Sequence, residues 1–131
     1  YLFSNSETDS IYEKEDTAKA VGGSTPIYKS YTALLTQTST NNPVATVLEN
    51  TLGGAITFAR VGGGVYTLTL SNAFTANKTT LMFGAGKQTN GNMYSWVWDN
   101  SSQISIFTLS NNGTKADWNL ENTLIEIKVY N

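Results

Sequence analysis

Ala55-Ile56-Thr57-Phe58-Ala59-Arg60-Val61-Gly62-Gly63-Gly64-Val65-Tyr66-Thr67-Leu68-Thr69-Leu70 sets the architecture of this chain. Two strand-like runs, 55–61 and 65–70, flank three glycines that can take positive φ without a Cβ clash, so the stretch predicts an antiparallel β-hairpin. The turn is expected to demand most of Gly62 and Gly63, which should resist replacement by Val more than Ser101 or Ser102 does.

The period of two extends outward in both directions. Upstream, Ile27 to Gln37 reads as a strand and Thr38 to Pro43 as a polar turn. Val44 to Asn50 follows as a second strand, with Val44, Thr46 and Leu48 on one face and Ala45 and Val47 on the other. Downstream, Phe74 and the Asn77-Lys78 turn lead into a strand at Thr79 to Phe83. A loop rich in Gly, Lys, Gln and Asn runs from Gly84 to Asn92, before strands at Met93 to Trp98, Gln103 to Leu109 and Thr123 to Tyr130. About eight short strands separated by turn signals, with almost no helical period, predict an all-β domain: an antiparallel two-sheet sandwich or jelly roll.

Residues 1–24 are different in kind. Tyr1, Leu2, Phe3, Ile11, Tyr12 and Val21 are apolar anchors scattered through a polar stretch, and Asp9 or Ser10 can cap a short helix that Gly22-Gly23 would stop. The segment reads as an N-terminal arm or connector, with the sandwich domain spanning 25–131. The chain begins at Tyr1, not Met, so it is expected to be a piece of a longer polypeptide. Glu-Asn-Thr-Leu occurs at both 49–52 and 121–124, but the flanking residues do not align as a duplicated half-domain would require.

Composition removes whole classes of chemistry. The 131 residues include no Cys and no His, so thiol redox chemistry, zinc ribbons, haem ligation and imidazole-dependent triads lack their reactive groups. Thr, Asn and Ser make up about a third of the chain, whereas charged residues are 14% against a usual share of about 25%. The net charge of -2 lacks the basic stripe that neutralises phosphates, so no nucleic-acid partner is expected. Five of the ten acidic residues (Glu7, Asp9, Glu13, Glu15 and Asp16) fall in the first sixteen positions, which leaves the body nearly neutral. No apolar run has the 18 or more residues of a membrane-spanning helix, so no membrane insertion is expected.

Three groups of residues are candidates for function. In Tyr94-Ser95-Trp96-Val97-Trp98 the strand period places Tyr94, Trp96 and Trp98 on one face. That ladder of rings can stack on sugars, or it can fill a core or an interface between chains. Met93, Ser95 and Val97 lie on the other face, which stays largely apolar and suggests cover by a neighbouring chain. Asp99 and Trp118 complete the candidate ligand-binding set. A glycosidase pair would have to come from Glu49, Asp99, Asp117, Glu121 and Glu126. Asp99 and Asp117 sit in turn-like contexts beside Trp, and Glu126 alternates with Lys128 as surface pairs do, so no catalytic residue is assigned. Asp99-Asn100-Ser101 lacks the alternating acidic spacing of a calcium loop, and an Asx turn is the expected form. No metal or other cofactor is expected. Asn77, Asn100 and Asn112 begin Asn-x-Ser/Thr sequons. Arg60 is expected to pair with a carboxylate or a partner's carbonyl in a structural role.

From residue 28 onward, the order of elements resembles a small domain near the C-terminus of fibre and tail proteins of bacteriophages and prophages, especially of Bacteroidetes. The matching stretches are 28–37 (YKSYTALLTQ), 45–53 (ATVLENTLG), 64–70 (GVYTLTL), 73–79 (AFTANKT) and 122–130 (NTLIEIKVY). The likeness as a whole covers about three quarters of the chain and contains no catalytic motif. The resemblance implies a non-enzymatic protein at the virion surface, a homotrimer, whose arm joins it to other virion proteins and whose body is a structural decoration or binds host cell-surface glycan. A secreted bacterial carbohydrate-binding module is the alternative. The segment from Gly84 to Trp118 matches no pattern and is where specificity is expected to reside.

Overall fold

The computed structural model describes residues 26–84 and 92–131. Eight strands follow in chain order: β1 (Tyr28–Thr36), β2 (Val44–Asn50), β3 (Thr57–Gly62), β4 (Val65–Thr69), β5 (Thr79–Phe83), β6 (Met93–Asn100), β7 (Gln103–Leu109) and β8 (Thr123–Tyr130). They form two four-stranded sheets ordered β2-β1-β8-β5 and β3-β4-β7-β6, antiparallel throughout. This is the antiparallel two-sheet sandwich that the period of two predicts. The arm expected over 1–24, with its short helix, lies outside the described residues, as does most of the Gly84–Asn92 loop.

Alternation is cleanest in the strands with a neighbour on both sides. Tyr31, Ala33 and Leu35 of β1 point inward, as do Ile125, Ile127 and Val129 of β8. Across the interior, Tyr66 and Leu68 of β4 and Ile104 and Ile106 of β7 meet them. Each fully buried Leu or Ile contributes roughly 1.5–3 kcal/mol relative to exposure, so these central strands supply most of the driving force. Phe74 and Leu120, both buried, close the core from the connections that leave β4 and enter β8. Edge strand β2 contributes far less. Ala45 packs against the core, but Val44 and Leu48 remain exposed because β2 has a neighbour on one side only and a bulge opposite Thr32 and Ala33 offsets its register.

The Gly62–Gly64 hairpin forms, but its demand for glycine falls elsewhere than expected. Gly62 and Gly63 have ordinary φ, and a Cβ on either would meet nothing within 4 Å. Gly64 carries the positive φ of +67°, and a Cβ there would lie 2.6 Å from the Thr108 carbonyl oxygen and closer still to the Ala116 nitrogen. The reason is a β-bulge in β3 between Arg60 and Gly62, which moves the reversal one residue along and presses Gly64 onto the chain that follows β7. The strand expected from Ala55 begins at Thr57, and Ile27, expected in β1, precedes it and is exposed.

Candidate functional site

Strand β6 is the edge of the second sheet, paired only with β7. Register sets Tyr94 opposite Thr108, Trp96 opposite Ile106 and Trp98 opposite Ile104, so all three rings face the interior side. Tyr94 and Trp96 are partly buried and pack on the core; the Tyr94 ring lies 5.3 Å from that of Phe83. The polar ends of Tyr94 and Trp98 are bonded as buried Tyr and Trp require. The Tyr94 hydroxyl donates to the Asn119 carbonyl at 2.8 Å, and the Trp98 indole N–H donates to the Phe74 carbonyl at 2.9 Å. Trp98, at the end of the ladder, remains 36% exposed.

The other two candidates do not join this face. Asp99 belongs to the outer side, where its carboxylate accepts from the Gln103 amide and the Ser105 hydroxyl. Trp118 lies between β7 and β8 with φ +72° and a side chain 55% exposed, and its backbone N–H donates to the Gln37 side-chain oxygen at 2.9 Å. Tyr94 reaches the neighbouring residue Asn119, which brings the start of the ladder to the Trp118 segment. The five residues are therefore spread over an inner face, an outer face and a connection.

Sequence separation hides the strongest polar cluster. Asp117, from the connection into β8, accepts from Arg60 Nε at 3.0 Å and Arg60 Nη2 at 2.8 Å, from the Gly64 backbone N–H at 3.0 Å and from the Tyr66 hydroxyl at 2.7 Å. The Arg60 guanidinium, ahead of the backbone and tyrosine bonds, holds the Asp117 carboxyl down at about 2. Burial, reinforced by the bond to Asp117, pushes the Tyr66 phenol well above its usual range, so it stays a neutral donor. A carboxylate saturated by four donors, two of them from one guanidinium, is neither a general acid near neutral pH nor an open nucleophile. Arg60 thus takes the structural pairing its isolation suggested. Gln37, which no strand pattern singles out, does related work: fully buried, it donates to the Ser39 and Asn41 carbonyls at 2.8 and 3.1 Å and accepts from Trp118.

Glu49 and Glu126 are held on the surface. Glu49 accepts from the Ser30 hydroxyl at 2.6 Å, and Glu126 pairs with Lys128 at 3.5 Å two residues along β8, as its alternation suggested. Asn100 forms the expected Asx turn, its side-chain oxygen accepting from the Ser102 N–H at 2.8 Å. Among the described residues no group of three or more Asp and Glu is placed to hold a metal ion. The sequon residues Asn77, Asn100 and Asn112 are all exposed.

The outer face of β3-β4-β7-β6 carries its apolar side chains mostly toward the end where β4 and β6 begin and β7 ends. Val65 faces Phe107 across β4 and β7, and Leu109 faces Met93 across β7 and β6; Ser95 stands opposite Phe107, and Val97 beyond it is opposite Ser105. Met93 and Val97 are each half exposed, and Val61 in the bulge is exposed. The Lys115 ammonium sits 4.8 Å from the centre of the Phe107 ring and partly covers it.

Comparison of the chain with protein-family models, curated proteins and solved structures finds no match.

Proposed function

We propose that this chain is a non-enzymatic display domain of a virion surface protein, of fibre or tail type, that assembles with copies of itself and presents a rigid sandwich toward the host cell surface. The observation that carries this reading is the outer face of β3-β4-β7-β6, where Val65, Phe107, Leu109 and Met93 gather toward one end and Val97 stands beyond Ser95 on the edge strand. An apolar surface of this kind on a small sandwich is unfavourable in water and is stabilised when sibling chains cover it. Cyclic self-assembly brings the same surface from each copy toward a shared axis. The order of strands and turns that resembles phage fibre and tail domains supports the setting. So do the low charge and the absence of Cys, which suit a domain exposed to proteases and oxidants.

Sedimentation equilibrium tests it. The expected mass is three times the 14.2 kDa chain, falling to one chain in Val97→Lys, which places a charge on that face without touching the core. A wild-type chain that is monomeric at all concentrations sinks the reading. If that monomer also binds soluble glycans strongly, the chain is instead a secreted carbohydrate-binding module.

A further inference from the structure

Apart from the aromatic ladder and the Asp117 cluster, the described residues hold a cleft of about 250 Å³ at the end of the first sheet where β1 and β5 begin and β8 ends. Its position follows from register. Val129 on β8 faces Lys29 on β1 and Thr79 on β5, and the Tyr130 N–H donates to the Lys78 carbonyl at 2.8 Å. Lys29 and Lys78 thus flank β8 from opposite sides, about two strand spacings or ~10 Å apart, and both line the cleft. Among the described residues neither ammonium has a carboxylate partner; the ion pairs there are Arg60–Asp117 and Lys128–Glu126.

The third wall is the connection from β4 to β5, and it is pinned. The Asn72 N–H donates to the Ser102 hydroxyl at 2.9 Å, the Phe74 N–H to the Ser101 carbonyl at 2.8 Å and the Lys78 N–H to the Thr75 carbonyl at 3.2 Å. Ser71, Asn72 and Thr75 of this wall line the cleft. Buried Leu52 and Val129 supply an apolar patch beneath them. Two cations with no ion pair among the described residues, two hydroxyl residues and an amide on a pinned backbone, and an apolar patch complement a ring that carries one anionic group and several hydroxyls. The volume falls below the roughly 300–1,000 Å³ of clefts for drug-sized ligands, so one ring-sized unit is what it accommodates.

We propose that this cleft binds the carboxylate-bearing ring of an acidic saccharide, the carboxylate between Lys29 and Lys78 and the ring hydroxyls on Ser71, Asn72 and Thr75. The site deepens the display reading by naming the class of host-surface glycan, and to that extent rests on it.

The test is an NMR titration of the ¹⁵N-labelled full chain with sodium glucuronate, with glucose and sodium acetate as matched probes. Expected are amide shifts confined to Lys29, Ser71 to Lys78 and Tyr130. Glucose and acetate should each bind at least about tenfold more weakly, and the response should be lost in K29Q/K78Q, whose replaced side chains are exposed and make no ion pair among the described residues. Silence toward glucuronate, an equal response to acetate, or undiminished binding by folded K29Q/K78Q overturns the site. Sedimentation of the same sample separates the two proposals. A trimer that ignores glucuronate removes the site and leaves the display domain standing, whereas a monomer that binds glucuronate through the two lysines keeps the site and removes the fibre assembly.

Discussion

The Asp117 carboxylate takes two guanidinium hydrogen bonds from Arg60, a residue 57 positions earlier in the chain, and so ties the bulged edge of β3 to the connection that enters β8. Because Gly64 and Tyr66 donate to the same carboxylate, four donors from one hairpin depend on a single charge. The pair is only modestly exposed, at 24% and 14% of side-chain surface, so its loss is felt more than that of an ordinary surface ion pair.

Acid should therefore weaken the fold through this residue. The folded-state pKa of Asp117, about 2, lies below its ordinary 3.8. Its contribution of roughly 2 kcal/mol is complete above about pH 4 and disappears as pH falls toward 2. Urea denaturation across that window should show a steeper loss for the wild type than for Asp117→Asn, which begins about 2–3 kcal/mol less stable at neutral pH. Parallel pH profiles for the two would remove Asp117 as the acid-sensitive group.

Glycine 64 is the position in the hairpin that tolerates no side chain. Gly64→Ala combines a positive φ with a Cβ driven into the Ala116 backbone, neither of which a rotamer can relieve, and should cost at least about 3 kcal/mol. Gly63→Ala, with open space and ordinary φ, should shift stability by no more than about 0.5 kcal/mol. Thermal melts of the two variants side by side check the contrast, and equal losses would contradict it.

The turn between β1 and β2 depends on Gln37 in a way its composition does not disclose. Its amide supplies donors to the Ser39 and Asn41 carbonyls while its oxygen receives the Trp118 N–H, on a residue already at positive φ. Gln37→Leu keeps most of the volume but strands these backbone groups, for an expected loss of about 2–4 kcal/mol. Hydrogen exchange should also quicken at the Trp118 amide. A normal melt with a slow Trp118 amide would show that the backbone there is held by other means.

The contrast between β7 and Asp117 explains what could be read from the chain alone. The bounds expected for β2, β5, β7 and β8 coincide with those found, because a strand's period of two and its turn residues are local properties. Central strands also buried the side chains their alternation selects. The bulge at Arg60/Gly62 is a one-residue offset that brings Gly64 against the chain after Thr108, and nothing in a local period shows which of the three glycines that contact selects. Arg60, Tyr66 and Asp117 carry no short-range pattern that joins them; only the folded register does. Lys29 and Lys78 were equally invisible as a pair, since Val129, which both neighbour, is about fifty residues beyond Lys78 in the chain. The aromatic ladder was visible, and the two roles offered for it, packing and stacking, divide along its length from half-buried Trp96 to partly exposed Trp98.

That division can be measured. Trp96 packs on the core opposite Ile106 but retains some exposure, so Trp96→Ala should cost about 2–3 kcal/mol, short of the roughly 3–5 kcal/mol of a fully buried aromatic ring. Trp98→Phe keeps a ring while removing the donor to the Phe74 carbonyl, and should cost about 1 kcal/mol. Chemical denaturation of both variants decides between packing and display. If Trp96→Ala unfolds at the wild-type midpoint, its ring does not support the core, and the inward side of β6 must be reassigned as a surface for another molecule.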